Sequence, residues 1–353
     1  MLKIEREGQA KEAEGLVHVL IIYTGGTIGM VQNGGGALVP MPFDQIMEKV
    51  PELNSMDIAL DVHSFDKTID SSNVSFEDWK SIARVIEENY LLFDSFVVLH
   101  GTDTMAYSAS ALSYLLKGLN KPVIFTGSQM PIGARRTDAR ANLITAIEIA
   151  AKRVGGRPAV PEVCIYFDYK LFRGNRAQKE KSSLFAAFES ENYPTLAKAG
   201  IMIEYDYNVI MPYNPYGVLE VKYDFDPNVA VLRLYPSITK EIVKAVLNAE
   251  NLRGVVIESY GSGNAPTDAW FLDLLSEANE KGIVLFNVSQ CAGGKVVHGQ
   301  YATSSQLESR GVLSGKDITT EAAVTKLMYL LGNMKEVDLV KTWLEVPLAG
   351  EMI

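Results

Sequence analysis

The chain has 353 residues, a formal net charge of −10 at pH 7 and a sequence pI near 5.1. This acidic balance argues against binding to nucleic acid or to an anionic membrane, because both need a basic patch. An apolar content of 47% with 22% charged residues is typical of a globular protein, and the length suggests two domains of roughly 100–200 residues each.

Apolar, strand-like runs alternate with helix-length stretches in the first part of the chain. The runs lie at 16–23, 95–100, 121–127 and 162–169, and stretches of helical periodicity follow the second and third of them. Unbroken apolar strands that alternate with helices are typical of parallel strands covered on both faces. The sequence therefore predicts a larger N-terminal α/β domain, over residues 1–207, with a doubly wound and mostly parallel sheet.

The segment 208–229 differs in composition. It is rich in Tyr, Pro, Asn and Asp and shows no helical periodicity, so we interpret it as an inter-domain linker. The strand–helix alternation then resumes on a smaller scale with the runs "VAVLRLYP", "GVVIESYG" and "IVLFNVSQ". This pattern predicts a smaller C-terminal α/β domain over residues 230–353.

The cysteines and the N-terminus bear on the compartment. Cys164 and Cys291 lie far apart in the sequence, which favours two reduced thiols, although one disulfide is also compatible with the sequence. The first residues are charged and lack the apolar core and cleavage site of a signal peptide. No apolar run approaches the ~18 residues that a membrane span needs. We therefore expect a soluble, cytoplasmic protein.

Four loops that follow strand-like runs carry chemically useful side chains. In an open parallel sheet the ligand site lies beyond the carboxyl ends of the strands, so these loops are expected to converge. They are "TGGTIG" at 24–29, "DSSN" at 70–73, "HGTDTMA" at 100–106 and "FRGNRAQK" at 172–179. The first three present hydroxyl side chains, and the fourth supplies a lysine.

Each of these loops also has an ordinary structural explanation. Taken alone, Thr27 is a turn residue, Asp103 or Thr104 is a helix N-cap, and Lys179 is a surface lysine. The serines of "DSSN" would then satisfy their own backbone. The glycines around Thr27 match neither G-x-G-x-x-G nor a phosphate-binding P-loop, so a nucleotide site is not indicated.

The combination of loops favours a hydroxyl nucleophile. Such a nucleophile needs a group that takes its proton and donors that hold the oxyanion. The chain has 4 histidines and no G-x-S-x-G motif, so a Ser-His-Asp site is not indicated. A threonine site would instead use a carboxylate and a lysine, for which Asp103 and Lys179 are candidates.

The motifs as a set resemble the L-asparaginase family, and in particular its cytoplasmic bacterial (type I) branch. They are "YTGGTIG", "HGTDTMAYSASAL", "KPVIFTGSQMP", "RGNR" with a following lysine, and "ESYGSGNAP". They occur in family order, and the similarity extends from about residue 16 to residue 345. Because "TGGTI" and "HGTDTM" are two separate family motifs, a chance match to both is improbable.

The resemblance implies hydrolysis of L-asparagine to L-aspartate and ammonia. Thr27 matches the nucleophile, which forms a β-aspartyl ester that water then hydrolyses. A second triad matches Thr102, Asp103 and Lys179, and a turn N–H with the Thr102 hydroxyl would stabilise the oxyanions. Asp103 would also bind the substrate ammonium. The other implied substrate-binding residues are Gly26, Asp70, Ser71, Gly101 and Ser128.

The resemblance also has implications for cofactors and assembly. Neither a metal nor an organic cofactor is implied, and the sequence shows no Cys/His cluster with ligand spacing. The implied assembly is a homotetramer, a dimer of intimate dimers in which the C-terminal domain of one subunit closes the site of another. Nucleic acid and membranes are not expected as partners.

Two positions depart from the family pattern. The family usually has a tyrosine in the loop after the glycine turn, where this chain has Ala37 or Leu38. Tyr301 is a candidate to activate Thr27 instead, with a packed aromatic as the alternative. Glu258 stands where some cytoplasmic relatives have an arginine that helps to bind asparagine as an effector. An acid there would repel the effector carboxylate, which disfavours such regulation.

Two other functions are compatible with the same fold. The amidase subunit of a tRNA-dependent amidotransferase shares the motifs, but it carries an extra N-terminal domain, and the acidic charge argues against tRNA. A non-catalytic, two-lobed small-molecule binder would share the architecture but would normally be exported. Ammonia release from L-asparagine distinguishes the enzyme from the binder.

Overall fold

The computed structural model describes residues 2–3, 15–32, 38–297 and 302–353. The chain divides into two compact units. The first comprises Met1–Glu189 with Pro194–Val221, and the second comprises Ser190–Tyr193 with Lys222–Ile353. The side chains of both cysteines are free thiols, as expected.

The first unit combines strands and helices in alternation. Its strands are β1 (Leu2–Lys3), β2 (Val17–Gly25), β3 (Met30–Gln32), β4 (Leu38–Pro40), β5 (Ile58–Ile69), β6 (Ser95–Leu99), β7 (Leu116–Lys117), β8 (Val123–Thr126), β9 (Arg153–Val154), β10 (Arg157–Pro158), β11 (Val163–Phe167), β12 (Lys170–Arg173), β13 (Gln178–Lys179), β14 (Phe188–Glu189), β15 (Ala197–Ala199), β16 (Ile203–Tyr205) and β17 (Glu220–Val221). Its α-helices are α1 (Phe43–Glu48), α2 (Phe76–Asn89), α3 (Met105–Leu115) and α4 (Ala139–Ala151).

Nine of the described strands of this unit form one sheet. Its order is β1-β5-β2-β6-β8-β11-β12-β15-β16. The five strands from β5 to β11 in this order are all parallel to one another, whereas the outer strands pair antiparallel. Every residue of β6, β8 and β11 is buried, and α3 and α4 contact β11 and β8 respectively. The predicted α/β fold with a mostly parallel sheet is confirmed.

The second unit is a smaller α/β domain, as predicted. Its strands β18 (Val229–Arg233), β19 (Gly254–Ser259), β20 (Val284–Ser289) and β21 (Val312–Ser314) form a parallel sheet in that order. Its α-helices are α5 (Lys240–Leu247), α6 (Ala269–Glu280), α7 (Ala302–Glu308), α8 (Thr320–Asn333) and α9 (Val337–Leu344). Apolar side chains of α5, α6 and the strands form one core.

A buried ion pair holds the end of the chain against α8. The side chains of Lys326 and Glu351 are both 0% exposed, and Nζ lies 2.7 Å from Oε1. The Lys326 ammonium also donates hydrogen bonds to the carbonyl oxygens of Leu344 and Val346, at 2.8 Å each. The Glu351 carboxylate accepts a hydrogen bond from the backbone N–H of Leu348. Both charges therefore have polar partners, as buried charges require.

Candidate active site

The glycine-rich turn after β2 is built on backbone that favours glycine. Gly25 and Gly26 have φ values of 132° and 91°, in a region that L side chains rarely adopt. A single 3-10 turn, Thr27–Gly29, follows, and the Gly29 N–H donates to the Gly26 carbonyl at 3.2 Å. Thr27 is half-buried at the start of this turn. The turn therefore presents its hydroxyl residue directly beyond the carboxyl end of a central strand.

Three of the predicted loops converge there. A Cβ atom added to Gly26 would lie 2.7 Å from the backbone nitrogen of Gly101, and one added to Gly101 would lie 2.4 Å from the Ser71 Oγ. Such contacts are too close for any side chain, so both glycines are needed for the approach of the loops. The reason for the convergence is topological, because β2 lies between β5 and β6 and runs parallel to both.

Lys179 brings the fourth loop to the third. Its ammonium donates to the Thr102 Oγ1 at 2.7 Å and to the Asp103 Oδ1 at 2.7 Å. The lysine side chain is 15% exposed, whereas that of Asp103 is 66% exposed. Thr102 is buried. The structure thus brings the three residues of the predicted triad into direct contact, with the carboxylate on the solvent side.

Gln129, which no sequence motif indicated as a site residue, also contacts Thr102. The Thr102 hydroxyl donates to the Gln129 Oε1 at 3.3 Å, and the Gln129 Nε2 donates to the carbonyl of Leu184 at 3.0 Å. The backbone N–H of Gln129 is in turn held by the Asp138 carboxylate. These contacts fix the amide so that its oxygen faces Thr102. The only sequence signal was its position next to Ser128 in "TGSQMP".

The predicted substrate-binding residues lie in different surroundings. Asp70 is exposed, and its Oδ1 accepts from the Ser72 N–H at 3.0 Å. Ser71 is buried, and its carbonyl accepts from the Thr104 hydroxyl at 2.7 Å, so Thr104 joins two loops and makes no side-chain cap on α3. Ser128 is buried, and its hydroxyl donates to the nearby Met130 carbonyl at 2.7 Å.

The residue predicted to activate Thr27 lies outside the described residues. Tyr301 and Ala37 lie outside them, and for Leu38 only the backbone is described, as the first residue of β4. Tyr23 is close in sequence, but its hydroxyl donates to the carbonyls of Gly29 and Met41. Burial raises the pKa of Tyr23 to about 12. This phenol is therefore poorly suited to accept a proton near neutral pH.

Glu258 in the second unit is already engaged within that unit. Its carboxylate accepts a hydrogen bond from the Thr320 hydroxyl at 2.7 Å and pairs with the Arg233 guanidinium at 2.9 Å. Within the described ranges, no group of three or more His, Cys, Asp or Glu side chains is placed to hold a metal ion. No described helix combines the length and the apolar character that crossing a membrane needs.

Fold and site together define a two-domain α/β protein with a hydroxyl–carboxylate–ammonium cluster at the carboxyl edge of a parallel sheet. The family model "Asparaginase, N-terminal" matches residues 18–211, and the model "Glutaminase/Asparaginase C-terminal domain" matches residues 228–344. The chain therefore belongs to the asparaginase family, and the resemblance seen in its motifs is confirmed.

Comparison with single proteins agrees with the family. The chain is 39% identical to L-asparaginase 1 of Escherichia coli K12 over 338 residues, 95% of this chain and 97% of that protein. The crystal structure of L-asparaginase I from Vibrio cholerae superimposes with a TM-score of 0.88 at 39% identity, over 96% of this chain and 99% of that chain. The mouse 60 kDa lysophospholipase is also 39% identical, over 89% of this chain and 58% of that protein.

Proposed function

We propose that the protein hydrolyses L-asparagine to L-aspartate and ammonia, with Thr27 as the nucleophile. The observation that carries this proposal is the convergence of the glycine turn with the loop of Thr102, Asp103 and Lys179. A hydroxyl nucleophile needs nearby proton-handling groups and hydrogen-bond donors, and this edge of the sheet offers both. Membership in the asparaginase family and the full-length similarity to L-asparaginases support the choice of substrate.

The reaction has two acyl-transfer steps. In the first, the Thr27 Oγ forms a bond to the side-chain amide carbon of asparagine, the C–N bond breaks, and the hydroxyl proton leaves with the nitrogen as ammonia. The product is a β-aspartyl ester of the threonine. In the second, a water adds to the ester carbon, aspartate leaves, and the proton returns to the Thr27 oxygen. No metal or organic cofactor takes part in this proposal.

The second triad handles charge and protons around these steps. The Lys179 ammonium neutralises the Asp103 carboxylate and donates to the Thr102 oxygen, so the Thr102 hydroxyl proton is directed away from the lysine. We assign to Thr102, together with a backbone N–H of the glycine turn, the stabilisation of the oxyanion that forms in each step.

The α-ammonium and α-carboxylate groups of the substrate are assigned to residues of the converging loops. The carboxylates of Asp70 and Asp103 are the anions available for the α-ammonium group. Donors for the α-carboxylate come from Ser71 and from the backbone of Gly26 and Gly101, with Ser128 as a further contact. Gly26 and Gly101 have no side chain that could cover their backbone groups, which supports this assignment.

Two finer assignments rest on the sequence and the family. Tyr301 is the candidate that activates Thr27, since Tyr23 is engaged and has a raised pKa. The assembly is a homotetramer of two intimate dimers, and the location is the cytoplasm. The two free thiols support a reducing compartment.

Ammonia release from purified protein tests the proposal. L-Asparagine, L-glutamine and D-asparagine are compared in an assay that couples ammonia to NADH oxidation, and L-aspartate is quantified as the second product. We expect ammonia and aspartate in equal amounts from L-asparagine. Saturable binding of L-asparagine without ammonia release would instead identify a non-catalytic binder and contradict the proposal.

A further inference from the structure

A buried hydrogen-bond relay lies directly behind the Thr102 loop, and the proposed reaction does not use it. His100 follows β6 and is only 2% exposed. Its Nδ1 lies 2.7 Å from the carbonyl oxygen of Gly101, and its Nε2 lies 3.0 Å from the Ser108 Oγ on α3. The indole Nε1 of Trp79 on α2 donates to the same Oγ at 2.9 Å. Two helices are thus connected through one imidazole to the loop.

The direction of each hydrogen bond follows from the chemistry of the groups. A carbonyl oxygen only accepts, so the Nδ1 of His100 must carry a proton. An indole nitrogen only donates, so Ser108 accepts from Trp79 and has its own proton available for the Nε2 of His100. Burial lowers the pKa of His100, which favours the neutral ring that this arrangement needs. Every member of the relay therefore has one defined role.

The relay fixes the peptide plane between Gly101 and Thr102. Its carbonyl is held towards the imidazole, and because the peptide is trans, its N–H faces the opposite way. No acceptor for the Thr102 N–H is found in the part of the chain that the structure describes. The close contacts of Gly101 with Gly26 and Ser71 leave little room for this peptide to turn.

We propose that His100 is a positioning residue for the hydrolysis of the amide. The relay holds the Gly101–Thr102 peptide so that the Thr102 hydroxyl stays within reach of Lys179, and so that the Thr102 N–H is available to an oxygen of the substrate. The imidazole acts through the backbone of the loop and exchanges no proton with the substrate. This inference rests on the proposed function for its effect on rate, but the relay itself is defined by the contacts of His100.

Three substitutions separate the two ends of the imidazole. Asparagine places an N–H near the position of Nδ1, so His100→Asn keeps a donor for the Gly101 carbonyl. Glutamine reaches towards Ser108, so His100→Gln keeps the other contact, and His100→Leu removes both. We expect kcat for L-asparagine to fall about tenfold in His100→Gln and His100→Leu, which corresponds to the loss of one buried hydrogen bond. His100→Asn should retain most of the wild-type kcat.

The kinetic comparison contains its own control for folding. A purely structural histidine would give variants whose activity follows their melting temperature, whereas positioning predicts that His100→Asn outperforms His100→Gln at equal melting temperature. KM should stay within about twofold, because the contact matters mainly once the amide carbon becomes tetrahedral. Equal kcat values for these two variants, or a rise in KM with unchanged kcat, would overturn the proposal.

The wild-type protein offers a second test that does not depend on activity. The chain has 4 histidines, so solid-state NMR of protein labelled with ¹⁵N-histidine can assign the His100 signal by its loss in His100→Asn. We expect a neutral ring with the proton on Nδ1 at pH 7. A proton on Nε2, or a charged ring, would overturn the relay. If the protein shows the expected tautomer but releases no ammonia, the relay stands and the proposed function is contradicted.

Discussion

The Lys179 ammonium lies 2.7 Å from the Thr102 hydroxyl oxygen, although the two residues are 77 positions apart in the sequence. The same ammonium lies 2.7 Å from the Asp103 carboxylate, so one cation joins a hydroxyl and an acid. The Lys179 side chain is mostly buried and the Asp103 side chain is mostly exposed. Of these two charges, solvent therefore screens that of Lys179 less. Its charge is therefore the one that a reacting group would feel most strongly.

Replacement of Lys179 tests this electrostatic role. Lys179→Met keeps much of the side-chain volume and removes the charge, so we expect kcat to fall by about 10²-fold or more with a smaller change in KM. Steady-state kinetics with L-asparagine measure both constants. Lys181→Met is the matched control, since the ammonium of this nearby lysine pairs with the exposed side of the loop, at Glu180, 3.9 Å away. An unchanged kcat with a raised KM would assign Lys179 to substrate binding.

Thr27 is expected to be indispensable for turnover. Thr27→Ala should retain less than about a tenth of the wild-type kcat, a loss of at least ~1.4 kcal/mol in transition-state stabilisation, and should unfold at the wild-type temperature. Thr27→Ser keeps a hydroxyl and should retain more activity than the alanine variant. Mass spectrometry after rapid acid quench should detect a covalent aspartyl adduct in the wild type and in Thr27→Ser, but not in Thr27→Ala. Turnover above a tenth in Thr27→Ala would contradict the nucleophile assignment.

The sequence predicted the fully buried strands of the large sheet better than its partly buried strand β5. β6, β8 and β11 are entirely apolar or buried, and each was expected from an unbroken apolar run. β5 was not among the unbroken apolar runs, because its sequence "IALDVHSFDKTI" mixes charged and apolar residues and its side chains are only partly buried. Strand β5 nevertheless carries the loop with Asp70 and Ser71. Unbroken apolar runs therefore do not reveal β5. The loop that it carries is recognised only from its own residues, Asp70 and Ser71.

In the site, too, only residues that belong to recognisable motifs could be predicted from the sequence. Thr102, Asp103 and Lys179 were named together through family motifs, and the structure places them in contact, while their catalytic roles stay a proposal. Gln129 could not be found in this way, because a loop glutamine has no distinctive chemistry in a sequence. Its orientation depends on the Asp138 carboxylate and on backbone carbonyls that come into position only in the folded chain.

Gln129 gives a prediction of intermediate size. Gln129→Met removes the acceptor of the Thr102 hydroxyl proton at similar volume, and the loss of one neutral hydrogen bond is worth about 0.5–1.5 kcal/mol. The Thr102 hydroxyl has one proton, which the proposed oxyanion needs, so loss of the competing acceptor should raise kcat, by at most roughly 3- to 10-fold. Gln129→Glu keeps an acceptor and is the informative comparison. If both variants match the wild type in kcat, the contact with Thr102 has no part in catalysis.

The packing of Gly101 predicts that a side chain at this position would clash with Ser71, and that shortening Ser71 would relieve the clash. In Gly101→Ala the new Cβ would lie 2.4 Å from the Ser71 Oγ, so the loops must separate, and we expect a lower melting temperature. Gly101→Ala with Ser71→Gly removes the facing atoms and should recover part of the loss. Gly133→Ala is the control, because among the described residues the nearest atom to its Cβ would be the Lys49 Cε, at an ordinary contact distance of 3.8 Å. Differential scanning calorimetry measures all three. A double variant no more stable than Gly101→Ala would place the strain elsewhere.

The buried ion pair of Lys326 and Glu351 makes a prediction for stability. Lys326→Met leaves a buried carboxylate without its cation, and breaking such a pair typically costs about 3–5 kcal/mol in the free energy of unfolding. Adding Glu351→Gln removes the unpaired charge, and the glutamine oxygen still accepts from the Leu348 N–H. The double variant should therefore be more stable than Lys326→Met, although it has lost both charges.

Lys117→Met is the control for this prediction, because the pair of Lys117 and Glu220 is exposed and should be worth at most about 1 kcal/mol. Urea-induced unfolding, followed by intrinsic fluorescence at fixed protein concentration, compares the variants. Burial lowers the pKa of Lys326, so the folded state releases this proton at a lower pH than the unfolded state does. Between those two pKa values the unfolded state binds more protons, and the contribution of Lys326 to stability therefore rises with pH. This rise in the free energy of unfolding with pH should be absent from Lys326→Met. A rise of the same size in this variant would show that a group other than Lys326 causes it.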